Sequence, residues 1–397
     1  MLRFTTAGES HGQALVSILE GMPAGVPLLA GDVDDQLRRR QQGYGRGRRM
    51  QIEQDSVELL SGVRAGETIG SPIAMLVRNR DWKNWAAIMD PSETAEEREG
   101  AEKKPRHRAV TRPRPGHADL AGMLKYDRTD ARDILERASA RETTARVAAG
   151  AVCRKLLAEI GITLGSHLVE LGGISADVAE LPADINAAAD ESPLRTLDKS
   201  AEERMISLID EVKRAGDTLG GVCEIVCRGV PVGLGSHVSW DRKLDGRIAA
   251  AMMSIHAVKG VGIGIGFEAA RRRGSEVHDE IHAGGDQRTA AHLSRFSNRA
   301  GGLEGGITNG EPLIVQVAMK PISTLMRPLA TVEMQTGEAA SAVAERSDVT
   351  AVPAMGVIAE AMLAFVVAQA VLEKFGGDSF RELKRNLDGY LDQISSR

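Results

Sequence analysis

Residues 353–375 read PAMGVIAEAMLAFVVAQAVLEKF and run into Gly376-Gly377. Apolar residues fall on almost every side of a helical projection, so the stretch is a helix with no face for water. Lys374 in its last turn and the glycine pair after it mark the stop. Such a helix needs a large core around it. It does not read as a membrane span: its candidate stretch, residues 357–372, is interrupted by Glu360 and Gln369 and is too short for a bilayer.

The rest of the chain can supply that core. It has 397 residues, 42% hydrophobic and 26% charged, both near the globular average. That length allows two or three domains or one large one. No internal repeat or long linker divides it. It is therefore read as one large domain over residues 1–397, with a surface excursion at about 90–105 and a C-terminal tail at 378–397. A second long helix is expected over residues 129–160, where Ile134, Ala138, Ala145, Ala148, Val152 and Leu156 form a stripe of mostly small residues suited to close helix packing. Shorter helices are expected over 32–41, 201–215 and 241–259, the last two stopped by Gly216 and Gly260. Strands are expected over 12–20, 222–228, 261–267 and 313–319, with a hairpin joining 51–60 to 72–78. Helices and strand pairs alternate without a regular βαβ rhythm, which favours an α+β or layered sandwich fold.

Composition narrows the function. The 50 Lys and Arg against 55 Asp and Glu leave a net charge of −5, and 3 Trp, 3 Tyr and 6 Phe are few. Both facts argue against a protein that coats nucleic acid or anionic lipid. Cys153, Cys223 and Cys227 make no CxxC pair and read as small buried residues. The N-terminus lacks a basic patch followed by an apolar run, so a cytoplasmic location is expected. The 43 glycines, above the roughly 7% usual in proteins, suggest tight turns or backbone that approaches a ligand closely.

Six segments carry candidate chemistry. Ser10 and His11 lie between Gly8 and Gly12; His11 is either a general acid or an ordinary turn histidine. Arg38, Arg39, Arg40, Arg46, Arg48 and Arg49 crowd twelve residues with no acid among them. Such a run repels itself unless an anion joins it. The readings open to it are a small-anion loop, a nucleic-acid segment over Arg38–Arg49, and, for Arg38 and Arg39, a solvated or salt-bridged helix face. In RPRPGHAD, prolines hold Arg114 at a set distance from His117, as either an anion clamp with a proton donor or a rigid surface loop. Arg137 and Arg141 are expected to share a face of the long helix, with Ser139 offset. Lys320-Pro321-Ile322-Ser323-Thr324 is a strand exit suited to a phosphate. Arg346 and Asp348 form either a structural ion pair or a tuned base. Residues 260–266 (GVGIGIG) imitate a dinucleotide fingerprint without the helix that should follow, and 278–282 (HDEIH) lack the pattern of a zinc site, so no metal is expected.

In order, AGESHG, RRQQGYGRGRRM, RPGHAD, ERASARET, KPIST and RSDVTAVPA resemble the motifs of the chorismate synthase family in its bacterial, FMN-dependent form. The resemblance covers nearly the whole chain. It implies a β-α-β sandwich, with helices layered between antiparallel sheets, assembled as a homotetramer. It also implies a lyase that converts 5-enolpyruvylshikimate 3-phosphate to chorismate and phosphate by anti-1,4-elimination, the last step of the shikimate pathway. Reduced FMN is required without net oxidation. By the resemblance, His11, His117 and Asp348 are catalytic, beside flavin, leaving phosphate and ring proton respectively. Ser10, Arg40, Arg46, Arg49, Arg114, Ser139 and Arg141 match substrate-facing positions. Arg137, Ala138, Ser139, His256, Ala257, Gly305, Lys320, Pro321, Ile322, Ser323, Thr324 and Arg346 match flavin-facing ones. His256 departs from the glutamine expected there. NADP is often associated with the positions of Arg40 and Arg46, but no nicotinamide site is legible. NADPH therefore enters only if the enzyme also reduces its own FMN.

Overall fold

The computed structural model describes residues 1–47, 54–92, 108–284, 292–342 and 348–396. Arg48, Arg49 and Arg346, and most of the expected excursion at 90–105, lie outside the described residues.

Two antiparallel sheets enclose helices. In the first, β1 (Arg3–Ala7), β2 (Ala14–Glu20), β3 (Val57–Leu59) and β4 (Ile73–Arg78) lie in the order β1-β2-β4-β3. The hairpin expected between 51–60 and 72–78 is the β3–β4 pair, in register Val57↔Val77 to Leu59↔Met75. In the second sheet, β5 (Thr163–Leu171), β6 (Ile174–Ser175), β7 (Gly221–Arg228), β8 (Val258–Ile263) and β9 (Leu313–Met319) lie in the order β8-β9-β7-β5-β6. Alternation along the strands turns one face of each sheet inward: Leu15, Leu19, Ile73, Met75 and Val77 from the first, Leu168, Cys223, Ile225, Val315 and Val317 from the second.

Between the sheets run α3 (Thr143–Ala158) and α6 (Val352–Phe375). Helix α3 packs on β2 and β4, α6 packs on β5 and β7, and the two helices pack on each other. Helix α1 (Ala30–Gln41) lies against both. This is the β-α-β sandwich the resemblance implied. At 24 residues α6 is one residue longer than read, and by length and composition it could cross a membrane, although the 357–372 stretch was read as too short to do so. Most of it is instead buried against the protein's own elements. Close approach depends on glycine. A Cβ on Gly150 of α3 would come within 2.5 Å of the Ala361 Cβ on α6, and one on Gly356 of α6 within 3.0 Å of Ser166 Oγ on β5.

Four expectations need correction. The helix over 129–160 is broken: a short turn, Arg132–Leu135, ends before Glu136, and α3 begins at Thr143. Ser139 adopts an extended conformation (φ −70°, ψ 143°) and accepts a hydrogen bond from the Arg141 backbone N–H, capping a new turn. Arg137 and Arg141 therefore do not share a helix face. The helix over 241–259 is α5 (Leu244–Met253) only. Ala257 takes a left-handed φ of 64°, and Val258 then enters β8 opposite Met319, so Gly260 is a strand residue. Strand β5, which lies between β7 and β6, went unread in the sequence because Gly165, Ser166 and His167 break the apolar pattern of TLGSHLVEL although all three are buried. The supposed tail is α7 (Phe380–Ser395), capped by Ser379 and Glu382 and buried through Leu383 and Leu387. Helix α4 (Lys199–Ala215) ends at Gly216 (φ 72°), as expected.

Gly150→Ala would raise intrinsic helix propensity by about 1 kcal/mol. The clash with Ala361 should reverse the sign and destabilise the protein by about 1–3 kcal/mol. Urea denaturation of the variant checks this, and an increase in stability would contradict the packing described.

Candidate active site

The turns before α3 gather the first group. The His11 ring donates through Nδ1 to Glu136, 2.9 Å from each carboxylate oxygen, and the His11 backbone N–H donates to Glu136 Oε2. The imidazole stacks on Trp85 with ring centroids 3.7 Å apart. Glu136 thereby fixes the tautomer, and Nε2 is the nitrogen it does not take. Burial alone would raise the Glu136 pKa, but the hydrogen bond from His11 and the charges of His11 and Arg132 outweigh it and hold the carboxyl below its ordinary range. Ser139 Oγ donates to Ser10 Oγ at 3.2 Å. Arg137 reaches back to β1, donating to Thr6 O and Oγ1, and to Gly8 O beyond it.

Two more arginines meet at Asp55. Arg141 donates to it at 2.9 Å and Arg40 Nη1 lies 3.9 Å away. Arg40 also donates to Thr143 Oγ1 and Ala140 O, at the start of α3. From the end of α1 the chain turns through Gly43 and Gly45. At Gly45 (φ 81°) a Cβ would press on Ile209 and Thr350. The turn brings Arg46 Nε to 3.0 Å from Asp348, which also accepts from the Gly47 N–H at 2.6 Å.

The third group is built on RPRPGHAD. His117 donates through Nδ1 to Asp119 Oδ1 at 2.5 Å, and Arg114 Nε donates to Asp119 Oδ2 at 2.8 Å. Asp119 is fully buried. Burial would raise its pKa, but hydrogen bonds from His117 and Arg114 drive it well below the carboxylate range. Arg114 Nη1 also donates to Thr324, and Lys320 Nζ donates to Gly116 O. The KPIST segment is thus laid beside this loop. Burial, and then Lys259, lower the Lys320 pKa.

Contacts join the three groups into one ring. Arg137 lies 3.7 Å from Glu142, and Glu142 lies 3.9 Å from His256 Nδ1. Burial is the main cause lowering the His256 pKa; Glu142 opposes it, while the charges of Arg146, His117 and Arg137 add to it. The Lys320 N–H donates to Ala257 O, Thr218 Oγ1 to Ile322 O, and the Leu219 N–H to Val349 O beside Asp348. These contacts link the segments that carry His11, His117 and Asp348, and with them Ser10, Arg40, Arg46, Arg114, Arg137, Ala138, Ser139, Arg141, His256, Ala257 and residues 320–324. Among the described residues, no hydrogen bond or ion pair joins Gly305 to these segments. It sits in the turn between Leu303–Glu304 and Ile307–Thr308, beside His237, and Gly306 O accepts from the Leu244 N–H at the first turn of α5. His256 follows the opposite end of that helix, about 15 Å away along its axis.

The Arg38–Arg49 segment turns inward where it is described. Of its described arginines only Arg38 is exposed, paired with Asp35, and Arg39 is buried on Glu360. That speaks against a nucleic-acid face. The sequence reading passed over Asp55, Glu136, Asp119, Glu142 and Trp85 as functional positions. Only Asp119, two residues beyond His117, carried a local signal. The other partnerships close over long sequence separations.

The sequence profile of a family described as chorismate synthase matches residues 2–372. The chain belongs to the chorismate synthase family. It is 57% identical to the chorismate synthase of Syntrophotalea carbinolica over 394 residues, covering 99% of this chain and 98% of that one. It is 55% identical to that of Geobacter metallireducens over 406 residues, covering all of both. A crystal structure described as chorismate synthase superposes with a TM-score of 0.78 at 45% identity, over 100% of this chain and 99% of that one. As a member of the chorismate synthase family the chain is an enzyme, a carbon–oxygen lyase acting on phosphates at the last step of the shikimate pathway.

The depressed carboxyls tie stability to acid. Asp119 and Glu136 contribute fully above their ordinary pKa values of 3.8 and 4.5, and the contribution is lost as pH falls through their lower folded values. Melting temperatures between pH 3 and 6 should fall toward the acid end. The fall should be shallower in Asp119→Asn, and equal slopes would refute the assignment.

Proposed function

We propose that the chain converts 5-enolpyruvylshikimate 3-phosphate to chorismate and phosphate by anti-1,4-elimination, with reduced FMN supplied from outside. Two imidazoles, His11 and His117, each oriented through Nδ1 by a buried carboxylate, with Arg114 on the second of those carboxylates, are the observation that supports this reading. A substrate with one phosphate and two carboxylates needs several fixed cations, and Arg40, Arg46, Arg114 and Arg141 supply them.

The residues present suit a flavin. His256 Nδ1 is buried with no hydrogen-bond partner among the described residues. Gly116 (φ 75°) leaves room that a Cβ would take from Lys320 Nζ, 3.3 Å away, and from Ser323. Arg137, Ala138, Ser139, His256, Ala257 and residues 320–324 would hold it, with Arg346 and Gly305 assigned from the resemblance. Bound there, reduced FMN supplies electron density that eases departure of an allylic phosphate.

The chain's own groups manage position and protons. Breaking the carbon–oxygen bond leaves the electron pair on phosphate, and His117, held at Nδ1 by Asp119, donates from Nε2 to that oxygen. The ring C–H bond gives its pair to the new double bond, and Asp348 is the carboxylate assigned to the released proton. His11 Nε2 carries the mobile proton on the side assigned to the cofactor. Atoms balance without net oxidation. The enzyme is read as cytoplasmic and as acting without nucleic acid or membrane. The homotetramer is carried over from the family, with exposed Leu120, Leu124 and Tyr126 as apolar surface for association.

Anaerobic phosphate release from 5-enolpyruvylshikimate 3-phosphate with chemically reduced FMN tests the reading; no release overturns it. FMN with NADPH alone should give no turnover. His117→Ala should lower kcat by roughly 10²–10⁴-fold, and near-normal turnover would remove its assigned role. Arg46→Ala should chiefly raise KM, by about tenfold or more, as loss of one charge-assisted contact does.

A further inference from the structure

Glu360 is the one acid within the apolar body of α6, and it is 1% exposed. An unpaired carboxylate at that depth would be prohibitive. Its Oε1 accepts from Ser166 Oγ at 2.6 Å, Arg39 Nη2 at 3.0 Å and Arg195 Nη2 at 3.3 Å. Its Oε2 accepts from Arg154 Nη1 at 2.5 Å, Asn186 Nδ2 at 3.0 Å and Arg39 Nη1 at 3.1 Å. Burial alone would raise its pKa, but Arg39, Arg154 and Arg195 together hold it well below the carboxylate range. Asp190 joins the cluster by accepting from Arg39 Nε at 2.7 Å and pairing with Arg195. Replacing such clusters by apolar side chains is often neutral or stabilising, so stability alone does not account for it.

Its geometry reaches the active site through a single helix turn. Arg39 and Arg40 are consecutive, at the end of α1, and both are buried. Successive residues of a helix point about 100° apart. A guanidinium gripped through both terminal nitrogens therefore fixes the rotation of α1 about its axis, and with it the direction of Arg40. Arg40 then meets Thr143, Ala140 O and Asp55. Directly beyond, the chain leaves α1 for the Gly43–Gly47 turn that carries Arg46 to Asp348. Arg154 holds the same carboxylate from α3, but its other hydrogen bond runs to Leu164 O at the start of β5 and not to a residue of α1.

We infer that Glu360 is a positioning residue for substrate binding: its two-point grip on Arg39 sets the rotation of α1 and so aims Arg40 and the turn bearing Arg46 at the substrate's anions. This rests on the reading that Arg40 and Arg46 face the substrate.

The test compares Arg39→Met, Arg154→Met, Glu360→Gln and Arg46→Ala in the full-length enzyme. KM and kcat come from phosphate release with reduced FMN, and folding from thermal melting. Arg39→Met should raise KM about tenfold with kcat within about threefold, and Glu360→Gln should raise KM less. Arg154→Met should lower the melting temperature yet keep the wild-type KM. A normal KM in Arg39→Met, or an equal rise in Arg154→Met, overturns the inference while a raised KM in Arg46→Ala leaves the underlying reading standing. A normal KM in Arg46→Ala overturns both. If Arg39→Met is not recovered folded, Arg39→Lys decides: it keeps the charge but not the two-point grip, so a raised KM supports the inference and a normal one overturns it.

Discussion

The sandwich depends on how closely two helices can approach. Gly150 places the α3 backbone against Ala361 of α6, and Gly356 lets α6 sink onto Ser166 and Cys223 of the second sheet. These contacts set the spacing between the sheets, because side chains in a close-packed interior leave little slack. The same spacing decides where the ends of the helices emerge. Thr143, first in α3, meets Arg40, and Pro353, in the first turn of α6, lies under Gly43. Both helix starts therefore border the turn that carries Arg46 to Asp348.

Within that frame the site gathers many cations, and fixed positive charges repel one another. The fold answers by placing a carboxylate beside each: His11 has Glu136, Arg114 and His117 share Asp119, Arg40 and Arg141 share Asp55, and Arg46 has Asp348. Several of these acids are buried, so the pairs act in surroundings where charge is weakly screened.

Much of the scaffold was legible locally. The apolar body of α6, the run of small residues in α3, the strand at 313–319 and the stop at Gly216 each follow from a periodicity or a terminal signal that neighbouring residues carry. The misreadings share one physical cause. At ERASARET the helical pattern continues through Ser139, yet Arg137 gains more from carbonyls on β1, and Arg141 from Asp55, than a continuous helix would provide. At 254–260 pairing with β9 overrides helix propensity, because a strand edge inside the sheet must be satisfied. In β5 the polar Ser166 and His167 hid a buried strand, since their partners Glu360 and Glu224 lie far along the chain.

The amino-acid sequence by itself determined the family and the layered α+β class, and it singled out the imidazoles and arginines proposed for the site, because motifs and helical periods are written in adjacent residues. Tertiary structure alone decided which carboxylate holds most of the cations, that Arg39 turns to Glu360 while Arg40 turns to Asp55 and Thr143, and that, among the described residues, Gly305 makes no hydrogen bond to residues 320–324. Those outcomes depend on contacts between residues more than a hundred positions apart in many cases. Nothing local encodes such distances; only the packed arrangement of sheets and helices brings the partners within hydrogen-bonding reach.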